Sequence, residues 1–294
     1  MKRFLLNTIA TLLLSAVIYA GVVFALFNGE IKNYHLFSPT PNLTLNASLS
    51  KSNESKKASS IIIGTSVALQ NIDAQLLTSQ TGKKWHTFAA HSMKCYTVLG
   101  LVDHLKLKNK TVLFPISTPE LSYISSKAQK EKPQFQYSDW NISNLKTLFL
   151  LKKMTNKGPH EPGNIHVNEF GNILLETNPT HNHNRRKEFS SAESNLNYTN
   201  RLDTLNYRVF VSKCDSIARS NNLTFILPIL PFKLTSEEMN ELAPKCSALE
   251  KYSTERVRII DCHQYPLSED YFIDSHHYTL LGAKKFTKYL SEIL

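Results

Sequence analysis

Glycine and proline are scarce, at 9 and 12 of 294 residues, which excludes collagen-like and proline-rich chains. Cysteine is scarcer: four in this length cannot staple a dense disulfide scaffold. The chain has no C-x-x-C pair, no glycine-rich phosphate loop and no internal repeat, so no cofactor-binding motif is present. Apolar residues are not scarce. At 41% hydrophobic and 10% aromatic, there is enough apolar surface to offset the entropy of ordering, which excludes a disordered protein. The 34 basic and 24 acidic residues leave a net charge of +10. That balance suits nucleic acid, anionic membrane surfaces or acidic glycans without choosing among them.

The N-terminus narrows the choice. Lys2 and Arg3 precede an uncharged apolar run from Ile9 to Phe27. As a helix this run would be roughly 28 Å long, close to the hydrocarbon thickness of a bilayer. Two readings stay open: an uncleaved anchor, which is favoured, or a secretory signal cut after Val23-Phe24-Ala25. The basic pair places the N-terminus in the cytoplasm and the rest outside, at the periplasm or cell surface, or secreted if the signal is cut. Nucleic acid is then not an expected partner. Residues 38–60 are almost all Ser, Thr, Asn, Lys and Pro, and 31–60 reads as a flexible linker between the 1–30 anchor and a domain over 61–294.

Within that domain, short apolar runs alternate with helical patterns. Strands are expected at Ser60–Gly64, Trp85–Ala90, Thr111–Ile116, Leu223–Leu230 and Arg256–Asp261. Helices are expected at Ser92–Leu107, at 201–220 with a stripe of Leu202, Leu205, Val209, Phe210, Cys214, Ile217 and Ala218, from a Thr235/Glu238 capping box towards Tyr252, and at Leu280–Leu294. Alternating strands and helices imply an α/β fold, three layers α/β/α around a roughly five-stranded parallel sheet. Residues 118–200 show no firm period and read as an irregular insertion over the C-terminal edge of the sheet, where such folds place ligands.

Two segments carry candidate chemistry. Gly64-Thr65-Ser66 closes the first strand and puts a serine at the lip of the sheet; a simple serine-capped turn has the same pattern. Asp274-Ser275-His276-His277 precedes the last helix. An Asp three residues before a His on a tight loop can turn its carboxylate onto Nδ1 and leave Nε2 free to take a serine proton. A helix-capping Asp beside surface histidines is the bland alternative.

A strand-end G-x-S early in the domain and D-x-x-H before its last helix together resemble the SGNH/GDSL hydrolase family. The likeness is closest to its membrane-anchored, extracytoplasmic branch linked to acylation of cell-surface polysaccharides. The resemblance implies a flavodoxin-like sheet, with Ser66 as nucleophile, His277 as general base and Asp274 as its orienting carboxylate; His276 should point elsewhere. It also implies an oxyanion hole. Ser66 would supply one backbone N–H, His91 or Ser92 another in place of the family's second-block glycine, and Ser117 would replace the third-block asparagine. Thr65 stands where the family usually has Asp.

The expected function is a membrane-tethered serine esterase or O-acyltransferase. Its partners would be an acylated glycan or acyl donor, the membrane, and a membrane acyltransferase. The alternative from another class is a catalytically decayed glycan-binding or assembly protein of the same fold. His160, His166, His181 and His183 have the composition of a metal cluster but read as solvated loop, so no metal is assigned. Arg185-Arg186-Lys187 reads as a solvated charge run, or a hold for an acidic glycan beside the site. Cys95 and Cys214 fall on core-facing helix positions, and Cys246–Cys262 is the favoured pair if a disulfide forms.

Overall fold

Ile61, Ile62 and Ile63 are all fully buried, so the first strand needs apolar cover on both faces, and the architecture follows from that need. The structure is a computed structural model that describes residues 2–28, 52–90, 93–117, 120, 124, 165–175, 204–233 and 236–294. In chain order the elements are α1 (Lys2–Asn28), α2 (Ser52–Lys57), β1 (Ser60–Gly64), α3 (Ser66–Gln70), α4 (Ala74–Thr81), β2 (Trp85–Ala89), α5 (Cys95–His104) and β3 (Thr111–Leu113). There follow β4 (Ile165–Val167), β5 (Ile173–Leu175), α6 (Thr204–Asn221), β6 (Thr224–Ile229), α7 (Ser236–Ser247), β7 (Val257–Asp261) and α8 (Leu280–Ile293), with short 3-10 turns at Glu250–Tyr252 and Glu269–Tyr271.

Five strands form one parallel sheet in the order β2-β1-β3-β6-β7. Period-two alternation sends Ile61, Ile63, Phe88, Val112, Phe225 and Ile259 to one face, under α5, α6 and α7. Ile62, Trp85, Ala89, Leu113, Ile226 and Ile260 go to the other, under α3, α4 and α8. This is the three-layer α/β/α arrangement expected from the sequence. The chain leaves β1 for β2 in one direction and for β3 in the other. The crevice between the C-terminal ends of β1 and β3 is therefore the switch point where such sheets bind ligands.

Several expectations are corrected. The third strand stops at Leu113 rather than Ile116. Pro115 has no N–H for the ladder, and pairing resumes only as an isolated Ile116–Ile229 bridge. The buried stripe of α6 is Tyr207, Phe210, Val211, Cys214 and Ala218. Leu205 and Val209 fall off this 3.6-residue face and are 64% and 39% exposed. Leu202 and Thr235 lie outside the described residues, and the side chain of Glu238, on α7, is not described either. The linker ends earlier than expected: α2 already belongs to the domain, with Ser55 and Ala58 buried and Glu54 paired to Lys57 and Lys84.

All four cysteines are buried thiols, without a disulfide. The favoured pair is kept apart by the sheet itself. Cys246 packs on the α7 face, whereas Cys262 packs on the α8 face.

α1 is a 27-residue helix whose side chains are described over 7–21. Among the described residues no helix is long and apolar enough to cross a membrane, so the expected transmembrane helix is without support there.

The insertion contains an antiparallel hairpin, β4–β5, in a stretch that showed no firm period. Its turn docks on the outer edge of the sheet, where the Phe170 carbonyl accepts from Thr87 N at 2.8 Å. Gly171 makes this possible. Its φ is +83°, and a Cβ there would lie 2.2 Å from the Thr87 carbonyl oxygen. Asn172, fully buried, donates to the carbonyls of Leu69 and Ile72 at 3.3 and 2.6 Å and accepts from Ala74 N at 2.9 Å. Asn172→Ala should therefore cost roughly 3 kcal/mol or more, since several buried groups lose their partners at once. Urea unfolding checks this, and a loss below about 1 kcal/mol would show that the turn does not brace α3.

Candidate active site

Ser66 is the first residue of α3, directly after β1. The short turn between them needs Gly64: a Cβ at this position would sit 2.4 Å from the Ala68 Cβ and push α3 off the strand. Thr65 caps the helix, accepting from Val67 N at 3.4 Å. The serine is thus held at the C-terminal end of β1, beside the switch-point crevice.

The Asp274–His277 loop approaches from the far end of the chain, just ahead of α8, whose N-terminus is capped by Thr279. The Asp274 carboxylate organises the loop. Its Oδ1 accepts from the backbone N–H groups of His276 and His277 at 2.9 and 2.8 Å, and its Oδ2 meets His277 Nδ1 at 2.7 Å. On its other side, His277 Nε2 lies 2.7 Å from Ser66 Oγ. Serine, imidazole and carboxylate therefore form one continuous hydrogen-bonded chain.

The electrostatics assign the protons. Burial alone would raise the Asp274 carboxyl, but the hydrogen bond from His277, the charges of His277 and His276 and the His276 N–H outweigh it and hold the group well below the usual carboxylate range. An ionised Asp274 can only accept, so His277 carries its proton on Nδ1 and Nε2 accepts from the Ser66 hydroxyl.

His276 makes no described hydrogen bond to the serine; its ring packs beside that of His277, with centroids 4.0 Å apart. Its ring stacks on Phe232, with centroids 6.2 Å apart and planes at 19°, and its Nδ1 lies 3.0 Å from Ser275 Oγ. Loss of hydration, and then the charge of His277, push it down to about 4. An unfolded histidine takes up a proton near 6.5; the folded ring refuses it until about 4. Stability must therefore fall as pH drops through that window, by a contribution on the order of 3 kcal/mol when complete. His276→Ala should flatten the loss between pH 6.5 and 4 in urea titrations; an unchanged slope would refute the assignment.

The oxyanion-hole candidates fare differently. Ser66 keeps its place at the helix start. His91 and Ser92 lie outside the described residues. Ser117 is buried, but its N–H and hydroxyl both donate to Glu120 Oε2, at 2.6 and 2.9 Å, and Thr65 Oγ1 donates to Glu120 Oε1. Ser117 does not present a free donor to the site, which corrects its expected role. Burial raises the Glu120 carboxyl, against the opposing pull of these three hydrogen bonds and of His277.

Sequence reasoning missed Glu120, in a stretch without periodicity, and Asn71, one of several polar residues between Gln70 and Gln75. No local pattern announces either. The four insertion histidines lie outside the residues whose side chains are described. Asp274, His276 and His277 do bring possible ligand atoms within 4.8 Å of one another. Asp274 Oδ2 and His277 Nδ1 are already bonded to each other, so an ion taking both would break the chain from serine to carboxylate.

A second histidine–carboxylate pair lies past β7, between His263 Nδ1 and Asp261 Oδ1. Its buried Nε2 meets no partner among the described residues, so it lacks a nucleophile.

No family model matches the chain, and no curated protein does. Among solved structures it is similar to an acetyl xylan esterase, Est2A from the rumen bacterium Butyrivibrio proteoclasticus, at 9% identity and a TM-score of 0.35, over 80% of this chain and 62% of that one. The chain thus spans less than two thirds of that esterase's length, and a likeness of this size carries no argument about activity. The chemistry is drawn from this chain's own residues.

Proposed function

We propose that this protein is a membrane-tethered serine esterase or O-acyltransferase of the SGNH/GDSL type, acting on acyl esters of cell-surface glycan. The observation that carries the reading is the unbroken chain from Ser66 Oγ through His277 to Asp274, with both links at 2.7 Å.

Ser66 Oγ attacks the acyl carbonyl carbon while His277 Nε2 takes its proton. The imidazolium, steadied by ionised Asp274, then protonates the leaving sugar oxygen, and the acyl group stays on Ser66. Water or another sugar hydroxyl, deprotonated by His277, releases it. Hydrolysis and transfer differ only in which acceptor reaches the acyl-enzyme. A membrane acyltransferase would suit as the source of acyl groups in the second case.

The tether is supported by the apolar run Ile9–Phe27. The protein should then sediment with membranes and resist alkaline extraction.

One observation favours the decayed, glycan-binding alternative: both donors of Ser117 are held by Glu120. Loss of an oxyanion donor costs about 3 to 4 kcal/mol of transition-state stabilisation. A serine-directed fluorophosphonate separates the two readings. An active site labels at Ser66, as located by peptide mass; a protein that stays unlabelled at millimolar probe over hours is the binding protein instead.

A further inference from the structure

The loop that carries His277 and the helix that carries Ser66 are 211 residues apart in sequence, yet their reacting atoms must meet within a few tenths of an ångström. Within residues 272–279, Asp274 orders the loop internally, and Ile273 N donates to the His277 carbonyl at 2.7 Å. Lys233 N donates to the Ser275 carbonyl at 2.8 Å, and the Tyr278 hydroxyl donates to the Pro231 carbonyl at 2.8 Å, which ties the loop to the end of β6. None of these bonds reaches the helix of the serine.

Asn71 does. It is the C-cap of α3, with its own N–H donated to the Val67 carbonyl, and it is fully buried. Its side-chain Nδ2 donates to the His276 carbonyl at 2.7 Å, and its Oδ1 accepts from Tyr278 N at 3.0 Å. One amide thus holds the peptide groups on both sides of His277. Together with the Ser66–His277 bond itself, these two hydrogen bonds join the loop to α3 and its cap. Donor and acceptor are both used, in opposite directions, so a carboxylate of the same shape cannot replace the amide.

We infer that Asn71 is a positioning residue that sets the His277 ring against Ser66, by clamping the base loop to the short helix whose first residue is the nucleophile. The inference rests on the reading of Ser66 and His277 as nucleophile and base. Asn71 touches neither substrate nor reacting atoms; it acts through the His277 backbone. A misplacement of about 1 Å in such a pair typically costs on the order of 100-fold in rate.

The test compares the full-length protein with Asn71→Asp and Asn71→Ala, using fluorophosphonate labelling, ester turnover and NMR of the His277 ring. The labelling rate per folded molecule should fall about 100-fold in both variants. The fall in turnover should appear in kcat with KM little changed. The Nδ1 proton signal of His277, which reports the Asp274 bond inside the loop, should persist, while the Nε2 nitrogen shift moves as the bond to Ser66 loosens.

Three results would overturn the proposal: an unchanged labelling rate, loss of the Nδ1 signal together with activity, or failure of both variants to fold, since the last two mean that Asn71 merely builds the loop. If the wild-type protein does not label at all, the esterase reading fails by itself. The Nε2 shift still decides Asn71, and no change between wild type and variants counts against it.

Discussion

Ser66→Ala is expected to abolish acyl-ester turnover and covalent labelling while leaving the fold intact. The only hydrogen bond of the Ser66 side chain among those described runs to His277 Nε2, and the residue is half-buried at a helix start, so removing one oxygen opens no core cavity. Its β1–α3 turn depends on Gly64 and Thr65, which are untouched. The loss should be on the order of 10⁴-fold or greater, the scale for a nucleophile that acts as a unit with its base. Thermal unfolding should shift by no more than a few degrees. Retained turnover in a folded variant would remove Ser66 from the mechanism and leave the proposal without a nucleophile.

The second large effect separates two adjacent histidines. His277→Ala should lower the acylation rate by roughly 10⁴ or more, because its ring is the link between serine and carboxylate. His276→Ala should cost far less, since that ring touches Phe232, Ser275 and the flank of the His277 ring but bonds neither Ser66 nor the His277 nitrogens. Asp274→Asn should fall near the His277 variant. The amide oxygen can still accept from the two backbone N–H groups, and the NH₂ would then face Nδ1 and hold the imidazole in the tautomer that cannot take the serine proton. Pre-steady-state acylation with a small aryl acetate measures all three. A silent His277→Ala beside a crippled His276→Ala would mean that the wrong ring has been assigned as base.

How much of this was legible beforehand depends on how local each interaction is. The Asp274–His277 contact closes within four residues, so spacing alone could point to it. The serine at a strand end follows from Ile61–Ile63 running into Gly64, a signal contained in six residues. The strand and helix alternation of 60–116 and 204–293 likewise follows from hydrophobic period. These gave the layered parallel sheet in advance, although Pro115 shortened β3 and the buried face of α6 adds Tyr207 and Val211 to the expected Phe210, Cys214 and Ala218 while Leu205 and Val209 are exposed.

The amino-acid sequence by itself determined the layered α/β class and the side chains that could form a serine–histidine–carboxylate chain, because helix and strand periods and an i, i+3 loop contact are encoded within a few residues. Only the tertiary structure decided that Ser117 is bound to Glu120 instead of facing the site, that Cys246 and Cys262 lie on opposite faces of the sheet, and that Asn71 joins the two halves of the site. Those outcomes depend on which strand neighbours which and on partners up to 207 residues apart. A buried donor takes whichever acceptor the packed chain brings to it, and no local pattern records that choice.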